Sequence, residues 1–314
     1  EDLILYNLCN PYTIIGDLIV ANGATLTIEP GVQIEFEGPY SITVIDGAKL
    51  MSLGSEQDSI TISGISWKGI DIKSPGSMIQ YTRIIEEGNS SQGDYLLKLT
   101  GSHVDKSHIY GGTKGIQLND SSIVSRSKIH DIRNEAIQLY QRSVAYGNII
   151  YDIGTDMNYD GAVQTYDRSY FLNNKVYSTL DDPNMIAVAA QSSGVIAGNT
   201  IGSDKGIHGK FGIYVREGGQ VEVVGNRIGG FNTNVVLIGT RPEFKDNTFM
   251  GELDSESKQM NVRVASNTLT AENQNYPDYL DNYDYWGWDY GVDRQVVDMQ
   301  ENYWSNVESN DIAS

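Results

Sequence analysis

The sequence predicts an all-β chain whose short strands wind into one long solenoid, and three observations carry that prediction. A small or polar residue, any residue and then an apolar one recurs nine times, ending at Ile84, Ile109, Ile129, Ile150, Val176, Ile201, Ile228, Phe249 and Leu269. The steps between marks run from 20 to 27 residues. A second observation is the strand that precedes each mark, such as KGIDIK, YLLKLT, KGIQLN, EAIQLY and FGIYVR, in which the third and fifth residues are mostly aliphatic. The third is a direct internal match. EAIQLYQRSVAYGNII is followed by GAVQTYDRSYFLNNKV, which aligns Ile137 with Val163, Gln138 with Gln164, Tyr140 with Tyr166, Arg142 with Arg168, Ser143 with Ser169 and Asn148 with Asn174. Coils in such a register stack, so residues distant in sequence form columns on one face.

Residues 1–17 read as an irregular cover for the open end of the stack, which repeat arrays need because the first unit lacks a neighbour. From Leu18, β-branched runs alternate with Gly turns. Gly23-Ala24 recurs as Gly47-Ala48, a period of 24 residues that suits one coil of a three-sided solenoid. Period-2 alternation turns the aliphatic pairs inward, namely Ile70/Ile72, Leu97/Leu99, Ile116/Leu118, Ile137/Leu139, Ala187/Ala189, Ile213/Val215 and Val236/Ile238. A column of Asn148, Asn174, Asn199, Asn226, Asn247 and Asn267 marks one corner. There Asn tolerates a left-handed backbone and can bond the neighbouring coil. After Ala271 aromatic residues alternate with Asp, so 271–314 reads as a C-terminal cap with Tyr303 and Trp304 docking on the last coil.

Leucine-rich repeats are excluded because LxxLxLxxN is absent, and propeller blades because they need about twice this step. The coil spacing and the Gly-Asn turns (Gly147-Asn148, Gly198-Asn199, Gly225-Asn226) over 18–270 resemble the parallel β-helices of the pectate-lyase-like superfamily. The resemblance implies a single right-handed parallel β-helix of about ten rungs with irregular terminal caps. NYWS at Asn302–Ser305 resembles the NYWG stretch that closes such helices. Asp181-Asp182 and His208–Lys210 resemble parts of the polygalacturonase-type members, but the companion NTD and RIK motifs are missing, so no catalytic role is carried over.

Composition bounds the function. The 41 acidic and 22 basic residues give a net charge of −19, which repels phosphate backbones and argues against nucleic-acid binding and anionic membranes. With 33 Gly and 7 Pro the chain is turn-rich. Cys9, the only cysteine, allows neither an internal disulfide nor a thiolate zinc site. No apolar run reaches 18 residues, no signal peptide is visible and Glu1 opens the chain without Met, so a soluble mature or trimmed fragment is expected, outside the cell or at its surface.

In β-helices of this type the outward positions of one sheet form a groove. The fourth strand positions here are Asp71, Lys98, Gln117, Gln138, Gln164, Val188, Tyr214 and Leu237, and the sixth are Lys73, Thr100, Asn119, Tyr140, Tyr166, Ala190, Arg216 and Gly239. Amides and phenols at strand spacing suit a polysaccharide, because amides bond hydroxyls and rings pack on sugar faces. Gln117, Gln138, Gln164, Arg142, Arg168 and Tyr214 are the substrate-binding candidates. A hydrolase needs two carboxylates, for which Asp160, Asp167, Asp181, Asp182 and Glu217 are available. A lyase needs a base beside a cation, which Lys210, Arg216, Arg168, Tyr140 and Tyr166 could supply. Asp152, Asp156 and Asp160 offer the hard oxygens that Ca²⁺ takes, without the DxDxDG pattern, and Asp131 aligns with Asp152 one coil below. His108 and His130 are expected on turns, and no organic cofactor is implied. Polysaccharide lyase or hydrolase, non-catalytic carbohydrate binder and structural spacer remain open, for a monomer or a homotrimer.

Overall fold

The computed structural model describes residues 1–88, 95–154, 161–177, 185–202, 209–216, 220–238 and 242–250, with the strand backbones of 260–265 and 303–304. Among these residues three parallel sheets of eleven, twelve and eleven strands are formed. β1 (Leu3–Leu5), β2 (Tyr12–Ile14) and β3 (Leu18–Val20) begin the first, second and third sheets. Each further coil adds one strand to each sheet, always parallel to the strand before it, and the coil is right-handed. Among the described residues the only helical turn is a short 3-10 segment, Asn7–Cys9. No helix there is long and apolar enough to cross a membrane.

The recurring apolar marks are the inward column of the second sheet. Ile84, Ile109, Ile129, Ile150, Val176, Ile201, Ile228 and Phe249 pair one above the next without a break. The 24-residue period reappears as Leu26 beside Leu50 in the first sheet. Aliphatic columns from all three sheets meet inside at essentially zero exposure. With no helix layer among the described residues to pack against, this burial, at about 25 cal/mol per Å², is the main stabilising term.

The third sheet confirms the expected phase over most of its length and corrects it in two coils. Val163 pairs with Val188 and Gln164 with Ala189, so Val188 and Ala190 point inward and Ala189 outward. Tyr214 pairs with Val236 and Val215 with Leu237, which makes Val235 and Leu237 the inward pair. The run Ile186–Ala190 is apolar at every position and buried on both faces, so it carries no alternation from which a phase can be read.

The Asn corner forms a continuous ladder. Asn148, Asn174, Asn199 and Asn226 each donate the backbone N–H to the Oδ1 of the next Asn, at 2.8 to 3.0 Å. Each Nδ2 also donates backwards to a carbonyl, as Asn174 does to Ala145 O at 2.9 Å. Toward the N-terminus Ser107 and Ser127 take over the acceptor role. The left-handed backbone expected of these Asn residues belongs to the residue before each one, Gly147, Asn173, Gly198, Gly225 and Asp246, with φ between 53° and 67°. Asn is selected here for its amide and for complete burial. Asn267 and Leu269 lie outside the described residues.

At the C-terminal end Tyr303–Trp304 pairs with Thr248–Phe249 at the edge of the second sheet. The rest of 271–314 lies outside the described residues.

Candidate functional site

The outer face of the third sheet carries the predicted polar columns. Lys98, Gln117, Gln138 and Gln164 stand in one register, followed by Ala189, Tyr214 and Val236. The amides form a directed ladder, with Gln117 Nε2 donating to Gln138 Oε1 at 2.9 Å and Gln138 Nε2 to Gln164 Oε1 at 3.0 Å. Openness falls along this column. Gln138 is 8% exposed, Gln164 and Tyr214 are each 1% exposed, and Ala189 and Val236 are fully buried. Tyr214 therefore offers no open surface; it stacks on Phe211 with ring centroids 5.9 Å apart, and the Arg216 guanidinium lies 5.8 Å from its ring centre. Lys210 lies over the Phe211 ring at 5.6 Å.

A third outward column is invisible to a strict two-residue period. Tyr95, Lys114 and Glu135 stand one above another at the start of their strands. The cause is a bulge: Ala136 and Ile137 both donate their N–H to Ala162 O, so one residue is unpaired and the phase of everything before it reverses. The Tyr95 hydroxyl, with its single proton, lies within hydrogen-bonding reach of two acceptors, Glu135 Oε2 and, at 2.7 Å, Gln138 Oε1. Lys114 Nζ pairs with Glu135 Oε2 at 3.2 Å. Burial, and then the adjoining Glu135 carboxylate, push the Tyr95 phenol far above its ordinary range. That is the reverse of what a proton-abstracting tyrosine requires, so Tyr95 serves as a fixed donor that orients the amide ladder.

Alongside the ladder runs a more open column that contains Thr100, Asn119, Tyr140, Tyr166 and Arg216. The Tyr140 and Tyr166 rings stack at 4.5 Å, 15° from parallel. They spend their facing surfaces on each other, so outer ring faces, rims and hydroxyls are what they present. Tyr166 Oη donates to Gln164 Oε1 at 2.7 Å. The chain then turns into the first sheet through two successive left-handed residues in three coils: Asp120-Ser121, Gln141-Arg142 and Asp167-Arg168, with φ from 48° to 64°. The stacked turns line a groove of about 850 Å³ with Thr100, Asn119, Asp120, Gln141, Arg142, Asp167, Arg168 and Ser193. Three predicted residues, Arg142, Asp167 and Arg168, are thus brought together beside Tyr140 and Tyr166. Asp120, at the turn position equivalent to Asp167, joins them and was not singled out from sequence; its alignment with Asp167 through the DSS, QRS and DRS turns was the available signal.

The remaining candidates are dispersed or undescribed. Asp152 lies at the far edge of the second sheet beside Asp131, in the coil above it. Asp156 and Asp160 fall outside the described residues, among which no group of three metal-ligating side chains occurs. Glu217, Asp181, Asp182 and His208 also lie outside them. The histidines expected on turns are on strands of the second sheet, His108 in His108–Gly111 and His130 in Lys128–Ile132. Their flanking residues Tyr110 and Tyr151 have strand partners above and below, which the turn reading did not anticipate.

A family model described as a right handed beta helix region matches residues 104–250. No curated protein matches the sequence. Among solved structures the chain is similar to the PL6 family polysaccharide lyase Pedsa3628 from Pseudopedobacter saltans, at 12% identity over 96% of this chain and 94% of that one, TM-score 0.39. It is also similar to the Dettilon tailspike protein, at 14% identity over 85% and 62% of the two chains, TM-score 0.40. A third likeness is to the periplasmic alginate epimerase AlgG, at 14% identity over 85% and 73%, TM-score 0.32.

Proposed function

We propose that this β-helix binds a polysaccharide outside the cell, along the corner where the third sheet turns into the first. The observation that carries this reading is the groove of about 850 Å³ in which Arg142 and Arg168 stand one coil apart beside the stacked Tyr140–Tyr166 pair. A solenoid repeats its groups at about 4.8 Å along the axis, so a linear ligand meets the same chemistry again and again. Exposed ring faces and phenol hydroxyls suit sugar rings and their hydroxyls. The arginine forks suit carboxylate or sulfate groups, which they can hold in bidentate fashion.

Affinity measurements across a panel of neutral and acidic polysaccharides, with and without Ca²⁺, test the reading. Arg142→Ala with Arg168→Ala should weaken binding of the best acidic ligand by about tenfold or more, as exposed contacts to charged groups do in combination. Tyr166→Phe should weaken it less. Unchanged binding in the double arginine variant, or no binding to any member of the panel, would overturn the proposal.

One observation favours cleavage as a second reading. Asp120 and Asp167 occupy equivalent turn positions two coils apart, about 9.6 Å along the axis, and both line the groove. Inverting glycosidases hold their two carboxyl groups about 6.5 to 9.5 Å apart. New reducing ends without the ultraviolet absorbance of an unsaturated uronate, lost in both Asp120→Asn and Asp167→Asn, would establish a hydrolase. Binding without reducing ends would leave a lectin-like module.

A further inference from the structure

The second sheet carries an outward pattern on a different face from the groove. Immediately before each inward mark stands one outward residue, and these pair upward as Arg83, His108, Lys128, Ile149, Lys175, Thr200 and Arg227. Cations occupy every second coil. Arg83, Lys128, Lys175 and Arg227 are all exposed. None makes an ion pair among the described residues; Arg83 donates to the Tyr110 hydroxyl at 3.0 Å. In a chain of net charge −19, four exposed cations in one straight line, without an ion pair among the described residues, are a local exception to the composition.

Beside this line runs a stack of four rings, Tyr110, His130, Tyr151 and Tyr177, with centroids 4.9, 4.6 and 5.5 Å apart and planes within 12° of parallel. The stack holds the face flat and straight, and it turns ring edges and hydroxyls outward. On its far side lie Asp131 and Asp152, and the Asp131 carboxylate is held by His130 Nδ1 at 2.7 Å. The cations and the ring edges therefore form a strip parallel to the helix axis with a charge repeat of two coils, about 9.6 Å.

We propose that this strip is a second binding surface, for a linear anionic polysaccharide that lies along the axis and presents one carboxylate or sulfate per two sugars. An extended hexose chain advances per sugar about as far as one coil rises. In a ribbon whose successive sugars alternate in facing, every second one turns the same side to the protein. The charge repeat of such a ligand thus matches the cation repeat, and its intervening sugars lie over His108, Ile149 and Thr200, which leave the line free of acid groups. A single-stranded nucleic acid fits less well, because its phosphates are closer together and meet the overall negative charge at every step. The proposal does not depend on the groove at the other corner.

The test uses the whole chain and three probes: hyaluronan, with one carboxylate per two sugars, neutral dextran, and single-stranded poly(dT). Hyaluronan should bind, weaken as salt rises, and lose about tenfold or more affinity in the triple variant Arg83→Ala, Lys128→Ala, Lys175→Ala. The triple substitution is compared in an Arg142→Ala, Arg168→Ala background, which removes the groove arginines as a second source of hyaluronan affinity. These substitutions remove exposed side chains, and an unchanged melting temperature would confirm that the fold is intact. Hyaluronan binding that the triple variant retains, dextran binding as strong as hyaluronan, or preference for poly(dT) would each overturn the proposal.

Discussion

Asn174 shows what one residue contributes. Its Oδ1 accepts both the backbone N–H of Asn148 and the Nδ2 of Asn148, while its own N–H and Nδ2 donate to Asn199 Oδ1 and Nδ2 donates again to Ala145 O. Asn174→Ala leaves the buried Asn148 N–H without an acceptor, and an orphaned buried donor costs about 1 to 3 kcal/mol. Asn174→Ser should recover part of that loss, because Ser107 and Ser127 accept the same bond lower in the column. Urea midpoints for the two variants check the order. Asp105 makes a contrasting case. Burial alone would raise its carboxyl, but hydrogen bonds from Arg126 (2.6 and 2.8 Å) and Ser125 (2.8 Å) outweigh that and hold it below the usual carboxylate range. Its stabilising contribution is full above the unfolded carboxylate range near pH 4. The contribution is lost as pH falls through the lower folded value. Melting temperatures of Asp105→Asn should therefore fall less steeply than those of the native chain between about pH 4 and pH 2; parallel curves would refute this.

At the level of the strand, legibility followed local contrast. The second sheet was readable to the residue because Ser or Asn, a variable residue and an aliphatic one recur together, each forced by the corner ladder and the core. The third sheet was readable where polar and apolar residues alternate, from Ile70 to Thr165, and misread at Ile186–Ala190 and Val235–Leu237, where both faces are buried. Tyr95, Lys114 and Glu135 were missed because the bulge beside them breaks the period. Of the site, the Arg142, Asp167 and Arg168 turns emerged from the internal match. The Tyr140–Tyr166 pair was expected as an open platform, and the stack shows why that picture was too simple: identical rings on successive coils satisfy each other first. The cation line and ring stack of the second sheet were equally present in sequence, as the residues flanking each mark, such as Lys128 and His130 around Ile129. Alternation marks these residues only as outward, and the stacking of rings from four coils exists only in the folded register.

Across the whole molecule, each coil touches only the coils beside it, so stability is a sum of coil and interface contributions. Ile137→Ala, at a fully buried position in mid-array, should cost about 2 to 5 kcal/mol. Its effect should also be local. Hydrogen exchange should accelerate in the coils that contain Leu118, Ile137 and Val163 and remain near native values in the coils of Leu26 and Leu50; uniform acceleration would instead indicate one all-or-none unit. The ladders add a sense of direction to this array. In the Asn column the backbone N–H groups of Asn148, Asn174, Asn199 and Asn226 point to the coil that follows, and in the Gln column Nε2 of Gln117 and Gln138 does the same. A finished coil therefore ends in unfilled donors, and the coil that fills them is the next one along the chain. A polypeptide emerging N-terminus first can thus lay down each layer on a template already in place, like courses of brick set on the row beneath, whereas growth from the opposite end would start on acceptors instead of donors.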